Sequence, residues 1–147
     1  MNNYSFHKIT IFILWLNVLV GILHGISHIT EERILLTTFD FIFPVLTQIL
    51  IPAGGVYLYQ KRELKKVEEL DALLLVNFVL ITIYSVFYHF FSQTIDNIIH
   101  SSASLSGLLF ISTSYSLLLL NSLAVLIFFM KLILVLKDRQ STNVLTV

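Results

Sequence analysis

Four long apolar runs constrain the fold of this chain more than any other feature. They cover Ile9–Ile29, Thr38–Tyr59, Ala72–Phe91 and Leu105–Leu136. An α-helix rises ~1.5 Å per residue, so about 20 residues cross the roughly 30 Å hydrocarbon core of a bilayer. Each run is long enough for one crossing. The sequence therefore predicts an all-α, polytopic integral membrane protein, a four-helix transmembrane bundle that forms one domain over residues 1–147.

The composition excludes several classes of protein. Of the 147 residues, 56% are hydrophobic and 12% are charged, so a soluble fold of this size would expose the apolar runs to water. The net charge is zero and the basic residues form no block suited to a phosphate backbone, which excludes a nucleic-acid partner. Cysteine is absent, which excludes disulfides and thiolate metal ligands.

The ends of the runs refine this prediction. Lys8 is the only charged residue before the first run, and Glu31-Glu32-Arg33 follows the run. We therefore expect an uncleaved first transmembrane helix and not a signal peptide. The fourth run begins in a serine-rich segment, and its membrane part is predicted at about residues 110–133. Pro44 and Pro52 predict a kink in the second helix, and Ala53-Gly54-Gly55 predicts close approach of a neighbouring backbone.

Lysine and arginine predict the orientation. Eight of these nine residues fall on the side that carries both chain ends, and only Arg33 lies opposite. Cytoplasmic loops are enriched in basic residues, so both termini are predicted to be cytoplasmic, in the cell membrane if the source is prokaryotic. The connection Gln60–Asp71 mixes four basic with four acidic residues and is predicted to be a solvated helical face. Tyr4, Tyr57 and Tyr59 at the inner boundary, and Tyr88 near the outer one, are predicted to form interfacial aromatic belts.

Each run carries one amide side chain: Asn17, Gln48, Asn77 and Asn121. In hydrocarbon these side chains should turn inwards and hydrogen-bond across helices, contributing about 0.6–2 kcal/mol each. Helical spacing places Asn17, Gly21, His24 and His28 on one face of the first helix. We therefore expect polar stripes that face either one bundle interior or another subunit.

Four of the five histidines are predicted to lie towards the extracytoplasmic side. His24, His28 and His89 lie ~22–28 Å above the predicted cytoplasmic boundary, and His100 lies beyond the end of the third run. His24 and His28, at i and i+4, present two imidazoles from one helix face, a common arrangement for binding Zn²⁺ or Cu²⁺. The candidate metal ligands are His24, His28, His89, His100 and Asp96, and Asp96 could instead orient His100.

Four interpretations of these histidines stay open. Each imidazole could simply hydrogen-bond a neighbouring helix or interfacial water, or the group could hold a transition metal. The group could also be a proton relay or pH sensor, because imidazole titrates near neutral pH. The fourth is haem ligation, for which His28 and His89 are the better-placed pair. The absence of cysteine and the presence of only two methionines argue against a Cu(I) site.

No phosphate-binding glycine loop, dinucleotide fingerprint or nucleophile arrangement is present, so an enzyme is not expected. Almost nothing lies outside the lipid, which favours an accessory or structural subunit of a larger membrane complex, held by helix faces to other membrane subunits or to a second copy. The alternative is a metal- or haem-binding membrane protein, or minimal carrier, that uses His24, His28, His89 and His100.

Overall fold

The computed structural model describes residues 3–30, 38–61, 67–88 and 104–144. The elements are α1 (Asn3–Thr30), α2 (Thr38–Pro44), a π-helical segment (Val45–Leu50), α3 (Ile51–Lys61), α4 (Val67–Val86) and α5 (Leu105–Val144). We call α2, the π-helical segment and α3 together the second span. The described residues contain no β-strand.

The predicted four-helix architecture is confirmed. Four stretches are long and apolar enough to cross a membrane: Phe6–Thr30, Thr38–Lys61, Val67–Val86 and Leu105–Lys137. The apolar runs located these helices to within a few residues, apart from three extensions. They are the start of α1 at Asn3, the charged first turn of α4 and the continuation of α5 to Val144.

The four spans pack as a ring. Helix α5 contacts both α1 and α4, and each of these contacts the second span as well. The core between them includes Leu14, Val56, Leu74, Phe78 and Phe128, all at most 2% exposed. Large apolar side chains also cover the outside of the bundle, such as Phe12, Leu19, Ile83 and Leu119. This is the surface that a lipid environment favours, because apolar side chains there meet lipid tails of similar polarity.

Glycine allows close helix approach at one of the two predicted positions. A Cβ atom on Gly55 would lie 3.3 Å from side-chain carbons of Leu14 and Leu74, so α1 and α4 both approach α3 closely here. At Gly54 a Cβ atom would meet nothing within 4 Å, and the residue is exposed. The prediction was therefore right for Gly55 and wrong for Gly54.

The second span, for which a kink is predicted, contains a π-helical segment. Its hydrogen bonds run from residue i to i−5, as in the bond from the Ile51 N–H to the Leu46 carbonyl. The next donor in that pattern would be Pro52, which has no N–H, so the Thr47 carbonyl lacks its backbone donor. The Asn77 Nδ2 atom of α4 donates to that oxygen instead, at 2.8 Å. Asn77 thus supplies the hydrogen bond that the proline removes.

The four amides are buried inside the bundle, which is one of the two arrangements that the sequence left open. Asn17 and Asn121 are fully buried, and Gln48 and Asn77 are at most 5% exposed. Asn77 makes the expected hydrogen bond across helices. The amide atoms of Asn17 and Asn121 have no hydrogen-bond partner among the described residues, so the prediction of cross-helix hydrogen bonds was wrong for these two.

A buried ion pair joins three helices at the end of the bundle where both termini lie. The Lys131 Nζ atom of α5 lies 2.5 Å from Asp71 Oδ1 of α4 and 2.7 Å from the hydroxyl oxygen of Tyr59 on α3. The Tyr59 hydroxyl also donates to Asp71. Asp71 is 4% exposed and Tyr59 is 2% exposed. The predictions of a solvated Asp71 and an interfacial Tyr59 were therefore wrong, because both groups are part of one polar cluster inside the bundle.

Candidate functional site

The opposite end of the bundle contains a small cavity built around the two predicted histidines of α1. Two adjoining spaces of about 30 and 10 Å³ are both lined by His24, His28, Asp40, Pro44 and Gln48, and we call them the histidine cavity. A single water molecule needs about 10–15 Å³ of cavity volume. The histidine cavity therefore has room for a few water-sized groups. Residues from α1, the second span and α4 line it.

The two histidines contact each other through their outer nitrogens. The Nε2 atoms of His24 and His28 are 3.1 Å apart, and the ring planes are inclined by 77°. Two lone pairs would repel at this distance, so in the absence of an ion one nitrogen carries a proton and donates it to the other. Two nitrogen ligands of a tetrahedral zinc ion lie about 3.3 Å apart when each Zn–N distance is about 2.05 Å. The observed spacing is therefore close to that of two ligands on one ion.

Thr113 of α5 fixes the orientation and the tautomer of His24. The Thr113 Oγ1 atom lies 2.7 Å from the Leu109 carbonyl oxygen, to which it donates its single proton. It also lies 3.0 Å from His24 Nδ1, and because its single proton is used for the Leu109 carbonyl, we assign it as the acceptor of that bond. His24 then carries its proton on Nδ1, which leaves the Nε2 lone pair directed towards His28. A metal-binding histidine is typically oriented by a hydrogen bond of this kind.

Phe110 encloses the histidine pair on the α5 side. Its ring stacks on His24 with centroids 5.2 Å apart, and it meets the ring of His28 edge-on at 4.9 Å. His24 is 5% exposed as a result. Polar interactions are stronger where water is excluded.

Asp40 of α2 lies on the cavity wall formed by the second span. The Tyr84 hydroxyl of α4 donates to Asp40 Oδ1 at 2.7 Å. The Tyr84 ring packs against Phe43 at 4.8 Å and stacks on Tyr88 at 5.7 Å, so aromatic contacts hold the donor in place. This bond connects the start of the second span to α4.

Gln48 belongs to the π-helical segment and lines the histidine cavity. It is 4% exposed and lines both spaces of the cavity. A Cβ atom on Gly21 of α1 would lie 3.4 Å from both the Cβ and the carbonyl oxygen of Gln48. Because glycine has no side chain, the backbones of α1 and the π-helical segment can approach each other here. The predicted packing amide thus also contributes to the candidate site.

The described structure tests only part of the predicted ligand set. His24 and His28 share one face and contact each other. The other three candidates, His89, His100 and Asp96, lie outside the described residues. Within the described ranges, no three His, Asp, Glu or Cys side chains form a group that could hold a metal ion. The described pair also does not suit haem, because axial ligands bind opposite faces of the porphyrin, whereas these two rings belong to one helix and touch.

Thr113 and Tyr84 are two of the site residues that sequence reasoning missed, and Phe110 is a third. Thr113 precedes the buried Asn121 by eight residues, and Tyr84 follows the buried Asn77 by seven. Such spacings place each residue on the inward face of its helix. The sequence therefore contained a sign that both residues face inwards, but only through their spacing from a buried amide on the same helix.

Comparison of the chain with protein-family models, with curated proteins and with solved structures gives no match.

Proposed function

We propose that this protein binds a divalent transition metal ion, zinc or copper(II), in the histidine cavity through the Nε2 atoms of His24 and His28. The observation that carries the proposal is the 3.1 Å separation of these nitrogens, which is close to the spacing of two ligands on one ion. The contact between Thr113 and His24 supports it, because it sets the tautomer that a metal ligand needs.

Two nitrogens from the protein leave coordination positions for water or other donors. Structural zinc sites are closed by four protein ligands, whereas a site with open positions can exchange its ion or its outer ligands. The cavity of about 30 Å³ has room for such groups. The chemistry favours a small metal-binding membrane protein or carrier over a structural zinc site.

Zinc binding by the purified protein in mild detergent tests this proposal. We expect one ion per chain, and at least a tenfold loss of affinity in the His24→Ala/His28→Ala double variant, measured by equilibrium dialysis. His7→Ala is the matched control, because it removes an imidazole from the other end of the same helix. Equal zinc affinity in the wild type and the double variant, with both folded by circular dichroism, would rule out the site.

A second candidate function, a subunit held to a partner in the membrane, is supported by a polar patch on the outside of α5. Ser112, Tyr115 and Ser116 face outwards here, and Tyr115 is 58% exposed. The serine hydroxyls donate to carbonyl oxygens of their own helix, at 3.1 Å for Ser112 and 2.8 Å for Ser116. Small residues four apart let another transmembrane helix approach closely. The partner would be another membrane subunit or a second copy of this chain.

Substitution of the two serines tests the partner proposal. We expect Ser112→Leu/Ser116→Leu to shift the complex extracted in mild detergent towards the monomer, as measured by size-exclusion chromatography with light scattering. Gly54→Leu is the control, because it enlarges an exposed small residue on another face of the bundle. The patch would have no such role if the wild-type protein is already a solitary monomer, or if both variants give the same assembly.

A further inference from the structure

We propose that Asp40 is the third protein ligand of this ion, and that the hydroxyl of Tyr84 holds its carboxylate away from the histidines until the ion binds. This inference rests on the metal-binding function proposed above. It identifies a ligand and a switching contact that the histidine pair alone does not reveal.

Asp40 has the right position for this role. It lines both spaces of the histidine cavity together with His24 and His28, so its carboxylate and the two imidazoles border the same small volume. It belongs to the first turn of α2, where a helix has fewer backbone hydrogen bonds to restrain it. The carboxylate of Asp40 would also balance one of the two charges of the ion.

Tyr84 explains why the described residues do not already form a three-ligand group. Its hydroxyl donates to Asp40 Oδ1 at 2.7 Å, and its ring is fixed between Phe43 and Tyr88. This bond directs the carboxylate towards α4. An ion at the Nε2 atoms of His24 and His28 must therefore compete with Tyr84 for the same carboxylate.

The binding step is a ligand exchange without redox chemistry. Before the ion binds, His28 carries its proton on Nε2 and donates it to His24. When the ion binds, His28 changes to the tautomer that carries the proton on Nδ1. The Nε2 atom of each histidine can then donate its lone pair to the ion. Asp40 exchanges the hydroxyl of Tyr84 for the ion, and Tyr84 keeps its own proton. The contact of α2 thereby shifts from α4 to α1, which couples occupancy of the site to the packing of the second span.

This ligand set also selects the kind of ion. Two imidazoles and one carboxylate suit borderline divalent ions such as Zn²⁺, Co²⁺, Ni²⁺, Fe²⁺ and Cu²⁺. Cu(I) prefers soft thiolate and thioether ligands, which none of these three residues supplies.

Two variants with opposite expected effects test the inference. Asp40→Asn should weaken zinc binding at least tenfold, because a neutral amide replaces the anionic ligand. Tyr84→Phe should strengthen zinc binding about three- to tenfold, because the competing donor is removed. Tyr57→Phe, at the far end of the second span, is the control and should leave the affinity unchanged. Zinc should also change the tyrosine Raman doublet of the wild type, and this change should be missing in Tyr84→Phe.

The outcomes separate this inference from the proposal on which it rests. If zinc binds to the wild type and is lost in His24→Ala/His28→Ala, but its affinity is unchanged in Asp40→Asn and Tyr84→Phe, the histidine site stands and the role of Asp40 is refuted. If zinc does not bind to the wild type at all, both are refuted. A tyrosine spectrum that does not respond to bound zinc would refute the switching contact.

Discussion

Replacement of Asp71 by alanine is expected to lower the free energy of unfolding by about 3–5 kcal/mol, the cost of breaking a buried ion pair by removing one partner. Asp71 is the anion that Lys131 contacts at 2.5 Å, and the lysine side chain is only 14% exposed. Without the carboxylate, the ammonium group stays inside the bundle with the neutral hydroxyl of Tyr59. Its contacts with the Tyr59 and Phe128 rings, at 4.7 and 5.4 Å, compensate only in part.

Unfolding in mixed detergent, followed by circular dichroism, measures this effect. Glu69→Gln is the matched control, because Glu69 is an exposed acid two residues earlier on the same helix, and we expect a change below about 0.5 kcal/mol. The double variant Asp71→Leu/Lys131→Met should recover most of the loss, since a well-packed apolar pair can replace a buried ion pair. Equal stability of Asp71→Ala and Glu69→Gln would contradict the burial of this pair.

Replacement of Asn77 by alanine is expected to lower the free energy of unfolding by about 1–3 kcal/mol, because it leaves a buried acceptor without a donor. That acceptor is the Thr47 carbonyl oxygen, whose backbone donor is missing because residue 52 is a proline. The loss should therefore depend on Pro52. In a Pro52→Ala background the backbone N–H is restored, and Asn77→Ala should cost much less than in the wild type.

A double-mutant cycle over Asn77 and Pro52 measures this dependence directly. Asn121→Ala provides the control, because it removes a buried amide of the same size that has no hydrogen-bond partner among the described residues. Its cost should be smaller and should not depend on Pro52. If Asn77→Ala is equally costly with proline and with alanine at position 52, Asn77 does not compensate for the missing donor.

Much of the fold could be predicted from the sequence, because a bilayer leaves few choices to an apolar run of this length. A spanning helix satisfies its own backbone, and an amide within it turns away from lipid. Those two rules predicted the four helices and the burial of Asn17, Gln48, Asn77 and Asn121. The i, i+4 spacing of His24 and His28 likewise predicted that the two side chains share one helix face.

The residues that complete each polar cluster were not predictable in the same way. Asp71 precedes the third apolar run and Lys131 lies near the end of the fourth, where charged residues normally reach water, and their burial follows from how α4 and α5 pack together. Tyr84 contacts Asp40, 44 residues earlier, and Thr113 contacts His24, 89 residues earlier. Only tertiary structure brings such distant positions together.

The separation of the two polar clusters bears on how the protein could work. Leu14, Leu74, Phe78 and Phe128 form an apolar layer next to the cluster of Asp71 and Lys131, and each is at most 1% exposed. Charged groups and water are excluded from such a layer. Under the proposal of a metal site, the ion would therefore be reached from the histidine end of the bundle.

Elemental analysis of the protein purified from its native membrane, together with its visible absorption spectrum, tests the proposed metal site most directly. We expect close to one zinc or copper ion per chain in the wild type, background content in His24→Ala/His28→Ala, and no haem absorption band. Equal metal content in the two proteins, or a haem spectrum that survives the double substitution, would contradict the assignment of the histidine cavity as a metal site.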